Sequence, residues 1–319
     1  MALLAFDLGG TKLATAVFNE EGEILSGEIT ALDKRKGSEV GQLMIRNFIS
    51  MRDAALLTGN EIQSIGISVP GIYRLKTGTV WAPNIPGWED YPLLDEIKNV
   101  AGKIPVTIDS DRACYILGEL WKGNAQQCND AIFLAVGTGI GAGILINGNV
   151  LRGSHDIAGA IGWMALNKPF KEDYVQCGCF EHYTSGEGIV KQAQKFINET
   201  KDYSGVLKNK TLEEISCHDV FNAYDQRDEI SEKVIQSCIE YWGMATANLV
   251  SLFNPEKIIF GGGVFGPAVS LIPKIKEEAT KWAQPISIKQ VSFEASGLGG
   301  DAGVYGAGFL ALKNHSEKK

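Results

Sequence analysis

Residues 4–18 read LAFDLGGTKLATAVF, two apolar runs joined by a short loop of glycine, threonine and lysine. In the first run, large apolar residues occupy every second position, which is the period of a β-strand. Residues 13–18 have the composition of a second strand, and residues 24–29 follow a polar turn as a third. The chain is therefore predicted to begin with three antiparallel strands.

Residues 41–58 have apolar side chains at helical spacing and residues 62–69 have the pattern of a buried strand, so the first unit is predicted as β-β-β-α-β. The hairpin at the start of this unit recurs in the second half of the chain. Residues 131–136 predict another strand, which is followed by a glycine turn at 137–141 and a strand at 142–146 that ends in an Asn-Gly hairpin turn. Two hairpins of one plan suggest a duplicated domain.

Glycine turns of this kind expose backbone N–H groups, because no Cβ blocks the approach of an anion such as a phosphate chain. A third glycine cluster, at 261–263, follows the predicted strand 257–260. Gly9-Gly10 alone is equally consistent with an ordinary tight hairpin. The three clusters together favour nucleotide binding, in the order found in an actin- and hexokinase-like ATPase core.

Composition limits the classes of partner and compartment. The chain has 319 residues, 45% of them hydrophobic, and a formal net charge of −8, so neither nucleic acid nor an anionic membrane is an expected partner. The N-terminal residues lack the basic region of a secretory signal, and six scattered cysteines make no disulfide framework. We expect a cytoplasmic protein with reduced thiols.

Six motifs resemble the ROK family of bacterial sugar kinases, in the family's order and spacing. They are DLGGTK (7–12), PG (70–71), APN (82–84), SDRA (110–113), GTGIGAG (137–143) and NPEKIIFGGG (254–263). The resemblance implies an α/β protein with the actin/hexokinase-like, or ribonuclease H-like, ATPase fold. Two α/β domains, residues 1–117 and 118–299, would enclose a cleft, and a helix over about 300–319 would return to the N-terminal domain.

The resemblance also implies roles in phosphoryl transfer. Asp111 matches the family's catalytic base, although an aspartate before Arg112 is also consistent with a helix N-cap. Asp7 would help to hold Mg²⁺ through water, since that ion uses few carboxylates. ATP is the implied co-substrate, with its binding residues at Gly9, Gly10, Thr11, Lys12, Gly137, Thr138, Gly139, Gly262 and Gly263.

The expected sugar-binding residues supply donors and acceptors for hydroxyl groups. They are Gly71, Asn84, Ser110, Asp111, Trp163 and Glu181. Glu181 matches the glutamate of the family's Gly-Cys-x-Glu stretch, whereas Asn84 is also consistent with a plain turn residue. Ser110 stands where the family has asparagine, which would shorten one contact to the substrate.

The chain departs from the family at the sugar and zinc positions. Ala160 and Trp163 replace a glutamate and a histidine that contact the sugar around its C1 and C2 carbons. Glu172 and Tyr174 stand where two zinc-binding cysteines belong, so no structural zinc is expected. We therefore expect a substrate altered at that end, such as a glycoside, an anhydro-sugar or a deoxy-sugar, beside an apolar wall.

The function predicted from these features is ATP-dependent phosphorylation of a hydroxyl group, the 6-OH, of a hexose or hexose derivative. The alternative is a non-catalytic sugar sensor on the same scaffold. A ROK repressor is disfavoured because the first hairpin begins at residue 4, and a dehydrogenase because no strand-GxGxxG-helix unit appears. A homodimer is expected by resemblance.

Overall fold

The N-terminal hairpin forms one side of a five-stranded sheet in the computed structural model, which describes residues 2–316. The strands are β1 (Ala2–Leu8), β2 (Lys12–Phe18), β3 (Ile24–Ala31), β4 (Ile62–Val69) and β7 (Val106–Ser110). The strand order is β3-β2-β1-β4-β7. The first three strands pair antiparallel, and β4 and β7 continue the sheet in parallel with β1. The predicted β-β-β-α-β start is confirmed.

The second sheet repeats this arrangement in the order β10-β9-β8-β11-β12. Its strands are β8 (Ala131–Val136), β9 (Ile140–Ile146), β10 (Asn149–Val150), β11 (Lys257–Gly261) and β12 (Ser292–Ala295). The prediction that β9 begins at Ala142 was wrong by two residues. Gly141 and Gly143 lie inside this strand, and a Cβ at Gly143 would sit 2.0 Å from the carbonyl oxygen of Arg112. These glycines thus serve the close approach of a neighbouring helix.

The remaining elements of the described chain are a small hairpin, eleven α-helices and six short 3₁₀ helices. The hairpin strands are β5 (Ile72–Arg74) and β6 (Thr79–Trp81). The helices are α1 (Ser38–Leu57), α2 (Leu93–Ala101), α3 (Asp111–Lys122), α4 (Tyr174–Cys177), α5 (Cys179–Thr184), α6 (Gly186–Glu199), α7 (Cys217–Asp225), α8 (Glu229–Phe253), α9 (Ile272–Thr280), α10 (Ser287–Gln290) and α11 (Ala302–Ser316). Within residues 2–316, no helix combines the length and apolar composition needed to cross a lipid bilayer.

Helices α3 and α11 pack against each other beside the first sheet. Gly306 permits this contact, since a Cβ there would lie 1.9 Å from the carbonyl oxygen of Cys114. Gly66 of β4 permits the approach of α11 to the sheet, since a Cβ there would lie 1.8 Å from the carbonyl oxygen of Ala307. Helix α11 covers apolar residues of β1 and β2. Residues 317–319 of the predicted C-terminal helix lie outside the described residues. The predicted domain boundary at 117–118 falls within α3, and it stays a prediction.

Candidate active site

Asp111 is the first residue of α3, directly after β7. The N-cap is its neighbour Ser110, whose Oγ accepts a hydrogen bond from the backbone N–H of Ala113 at 3.4 Å. The cap therefore does not require the Asp111 carboxylate. Ser110 is buried and its hydroxyl is engaged at the helix end, which is the contact that the structure records for this predicted sugar residue.

The surroundings of Asp111 make it a stronger base than an ordinary aspartate. Burial raises its pKa to about 6, although the Arg112 guanidinium and a 2.8 Å hydrogen bond from the Arg112 backbone N–H act in the opposite direction. The negative charges of Asp7 and Asp109 contribute to this increase in the pKa, but less than burial does. A carboxyl group with this pKa is mostly ionised at neutral pH and can accept a proton.

Asp7 lies near the end of β1, paired in register with Ser68 of β4. Burial raises the pKa of its carboxyl group, against the influence of Ser68 and of the Lys12 ammonium. Gly303 of α11 faces the carboxylate, and a Cβ there would lie 2.3 Å from Oδ2. The close approach of α11 to this carboxylate therefore requires glycine at 303. Mg²⁺ uses few carboxylates and keeps several waters, so the single carboxylate of Asp7 is compatible with Mg²⁺ held through water.

The first glycine turn joins β1 to β2 and is solvent-exposed over most of its length. The backbone N–H of Gly9 donates to the carbonyl oxygen of Lys12 at 2.9 Å, which closes the turn. Gly10 lies against Asn84, because a Cβ at Gly10 would be 3.6 Å from the Asn84 Cβ. Thr11 and Lys12 are exposed, so the hydroxyl and the ammonium are accessible to a ligand.

The second glycine turn opens onto a cavity of about 560 Å³. The residues around it come from the hairpin, α6, α7 and the third glycine cluster, and include Gly137, Thr138, Gly186, Val190, Cys217 and Gly263. The backbone N–H of Gly186 donates to the carbonyl oxygen of Gly137 at 2.8 Å, which attaches α6 to the turn. Gly139 and Gly262 are next to these lining residues in the chain. A glycine turn and a helix N-terminus facing one cavity favour an anion such as phosphate.

The contribution of α6 and α7 to this cavity was missed from sequence. Ser185 caps α6 by accepting a hydrogen bond from the Gly188 backbone N–H at 3.1 Å. The stretch Ser185-Gly-Glu-Gly188 is a recognisable helix start, so the helix could have been found. Its position beside Gly137 could not, because the contact joins residues about fifty positions apart.

Two of the predicted sugar-binding residues are Gly71, just after β4, and Asn84, beside the first glycine turn. Gly71 has φ of 81°, and a Cβ there would lie 2.2 Å from the carbonyl oxygen of Trp81, so this turn requires glycine. Asn84 is exposed, and its side-chain amide has no hydrogen-bond partner within the described part of the chain. Its donors and its acceptor are therefore available to a polyol.

Glu181 connects the sugar side to the second hairpin. Its Oε2 accepts a hydrogen bond from the backbone N–H of Ile140 at 2.6 Å and lies beside Gly139. Burial raises the pKa of Glu181, and the Ile140 hydrogen bond opposes this change. Trp163 ends a short 3₁₀ turn and is 55% exposed, so its indole is not part of the core.

Arg112 was missed as a site residue. Its guanidinium Nη2 donates to the carbonyl oxygen of Gly71 at 3.1 Å, and its aliphatic stem lies over Gly141, where a Cβ would be 2.7 Å from Cδ. The side chain thus joins the turn after β4 to strand β9 of the other sheet. A basic residue directly after the predicted base was the available signal.

The residues at the family's zinc positions do not fit that metal. Tyr174 is buried and its hydroxyl hydrogen-bonds to that of Tyr183 at 2.7 Å, while Lys171 Nζ donates to the same Tyr183 oxygen at 2.7 Å. Trp163 is exposed, as is Glu172. Across residues 2–316, no group of three or more histidine, cysteine, aspartate or glutamate residues could hold a metal ion.

Comparison with known proteins identifies the family that the chain matches and its similar members. The family model described as the ROK family matches residues 3–314. The chain is 34% identical to a glucokinase of Halalkalibacterium halodurans, with 97% of this chain and 94% of that protein covered. It is 30% identical to a β-glucoside kinase of Listeria monocytogenes, with 99% and 100% covered.

Solved structures include both catalytic and regulatory proteins. A ROK family transcriptional regulator, a homologue of the E. coli MLC protein, matches with a TM-score of 0.86 and 25% identity over 98% of this chain and 79% of that one. A ROK family glucokinase from Streptomyces griseus in complex with glucose and AMPPNP matches with a TM-score of 0.77 and 28% identity, over 98% and 100% of the two chains.

Proposed function

The chain belongs to the ROK family and is a sugar kinase, and we propose that it transfers the γ-phosphoryl group of ATP to the 6-OH of a hexose or hexose derivative altered around C1 and C2. The observation that carries this proposal is Asp111, a carboxylate at the step from β7 to α3 whose pKa is raised to about 6. Phosphoryl transfer needs little covalent chemistry from the protein beyond a proton acceptor, positioning and charge stabilisation.

Each group of site residues has a different role in the reaction. Asp111 accepts the proton of the sugar hydroxyl as that oxygen forms a bond to the γ-phosphorus, and the bond from this phosphorus to the β-γ bridging oxygen breaks to release ADP. The N–H groups of Gly9 and Gly137 close their own turns, so the backbone N–H groups at 10–11 and 138–139 donate to phosphate oxygens. Asp7 would hold Mg²⁺, which when bound supplies positive charge at the phosphates. Closure of the cleft would exclude water, the competing acceptor.

The altered sugar end rests on the side chains present there. Ala160 has no polar side-chain atom, and Trp163 presents an exposed indole. An apolar wall of this kind suits a glycoside, an anhydro-sugar or a deoxy-sugar better than a sugar that must bury an additional hydroxyl group without a partner. The resemblance to a β-glucoside kinase also supports a glycoside as substrate.

The test is a coupled ADP-release screen with Mg-ATP against hexoses, glycosides, anhydro-sugars and amino sugars. Asp111→Asn should lower kcat by at least about 100-fold, the usual contribution of a general base. Asp202→Asn removes an exposed carboxylate on the loop after α6 and is the matched control, with activity unchanged. Turnover that survives in Asp111→Asn at the wild-type rate would refute the assigned base.

The second candidate, a sugar sensor without catalysis, is favoured by the regulator among the similar structures and by the replaced sugar ligands. It predicts that a sugar raises the melting temperature while no ADP is released. A homodimer and a cytoplasmic location stay predictions.

A further inference from the structure

Arg112 lies where the two halves of the sugar side meet. Its stem passes over Gly141, and the carbonyl oxygen of Gly159 lies 3.7 Å from the position that a Gly141 Cβ would take. Its guanidinium reaches the carbonyl oxygen of Gly71 on the opposite side. The side chain therefore runs from the segment that leads into Ala160 to the turn at Gly71.

Most of the hydrogen-bonding capacity of this guanidinium is unused. Arginine has five N–H donors and no acceptor. Within residues 2–316, the hydrogen bond to Gly71 is the one recorded for the guanidinium, and no carboxylate lies within 4.0 Å of it. The side chain is half-buried, so water satisfies the remaining donors only in part. A ligand oxygen in the cleft could accept from them.

The carboxylates nearby are already engaged. Glu181 accepts from the backbone N–H of Ile140, and Asp109 forms a buried ion pair with Arg152. Asp156 Oδ2 accepts from the backbone N–H of Leu75 at 3.2 Å. The wall itself contributes the methyl group of Ala160 and the indole of Trp163. The adjacent Asp111 is assigned to the reacting hydroxyl group, so the site offers the donors of Arg112 without a second free carboxylate beside them.

A donor-only partner distinguishes two kinds of sugar oxygen. A free anomeric hydroxyl carries a hydrogen that needs an acceptor, and burying that hydrogen unpaired is unfavourable. A glycosidic oxygen has no hydrogen and can only accept. Resting on the proposed function, we propose that Arg112 is the specificity-determining residue at the altered end and donates to the glycosidic oxygen, so that the substrate is a hexoside and not the free hexose.

The experiment compares kcat/KM for four acceptors that differ at C1. These are glucose, its methyl α- and β-glycosides, and 1,5-anhydroglucitol, which lacks an exocyclic oxygen at C1. The wild type should prefer one methyl glycoside to glucose. Arg112→Met should lower kcat/KM for that glycoside by about 10- to 100-fold and that for 1,5-anhydroglucitol by less than about threefold, as expected when a charged hydrogen bond to O1 is lost.

Comparing acceptors within one variant cancels any effect of Arg112 on Asp111 or on the Gly71 turn, since such an effect lowers all rates equally. Arg112→Lys, which keeps a donor, should recover part of the glycoside preference. Arg46→Met on the exposed face of α1 is the matched control, and thermal unfolding reports whether each variant is folded.

Equal losses for all acceptors in Arg112→Met would overturn the assignment and leave the proposed function standing. A wild type that prefers glucose to both glycosides would also overturn it. If the wild type phosphorylates none of the screened sugars, the proposed function fails and the assignment fails with it.

Discussion

The raised pKa of Asp111 predicts a particular dependence of the reaction rate on pH. With a pKa of about 6, about 9% of this carboxyl group is ionised at pH 5 and about 90% at pH 7. If Asp111 is the proton acceptor, kcat at pH 5 should be about tenfold lower than its plateau. With the ordinary aspartate pKa of 3.8, more than about 90% would be ionised at pH 5 and the rate would hardly change.

The direction of the effect follows from the protonation state. The base is lost as pH falls through the pKa, so activity declines on the acid side and stays level above about pH 7. Removing Arg112 takes away a positive charge that lowers this pKa. In Arg112→Met the inflection should therefore move to higher pH, whereas Arg112→Lys should keep it near the wild-type position.

The assay is initial-rate ADP release from pH 5 to 8 at constant ionic strength, with saturating sugar and excess Mg²⁺ so that ATP stays in its metal complex. Circular dichroism at pH 5 verifies that the protein is folded. Asp111→Asn provides the control, since its residual activity should lack the inflection. A wild-type rate that is flat between pH 5 and 7, or an unchanged inflection in Asp111→Asn, would refute the reasoning.

Three further predictions concern Glu119, Tyr183 and Trp163. Glu119→Gln should lower the free energy of unfolding by about 2–4 kcal/mol in urea titrations, because the buried carboxylate accepts hydrogen bonds from the loop at 296–298; a loss under about 0.5 kcal/mol would contradict this. Tyr183→Phe removes the oxygen that Lys171 binds and should lower the melting temperature by a few degrees. A chelator should change the melting temperature of neither the wild type nor Tyr183→Phe, and a chelator-induced drop in the wild-type melting temperature would indicate a bound metal. Trp163→Ala should raise KM for a glycoside by about 3- to 10-fold in steady-state kinetics while stability stays within about 0.5 kcal/mol, since the indole is exposed; an unchanged KM would remove Trp163 from the sugar wall.

Local patterns predicted the architecture well. The two glycine hairpins, helix α1 and the strand-to-helix step at Asp111 were all visible in consecutive residues. Strand alternation, helical spacing and glycine turns depend on neighbours along the chain, so the sequence displays them directly. The small hairpin β5–β6 was not predicted, because its strands have three residues each and carry almost no periodicity.

The sequence predicted which residues form the candidate site more completely than it predicted the contacts that these residues make. The sequence and its family resemblance named Asp111, Asp7 and the glycine turns, and their roles stay predictions. Neither indicated that Ser110 is the helix cap or that Glu181 is bound to the backbone of Ile140. Each of these side chains is chemically capable of several contacts, and packing selects one of them.

The sequence alone determined the strands of the two glycine hairpins, the glycine turns and the acidic side chain that follows β7, because these features require only the preferences of neighbouring residues. The tertiary structure alone decided that burial raises the pKa of Asp111 and that Arg112 joins Gly71 to β9. It also decided that α6 and α7 enclose the cavity beside Gly137. These properties arise from groups far apart in the chain, whose distances and dielectric surroundings exist only after the two sheets and their helices have packed together.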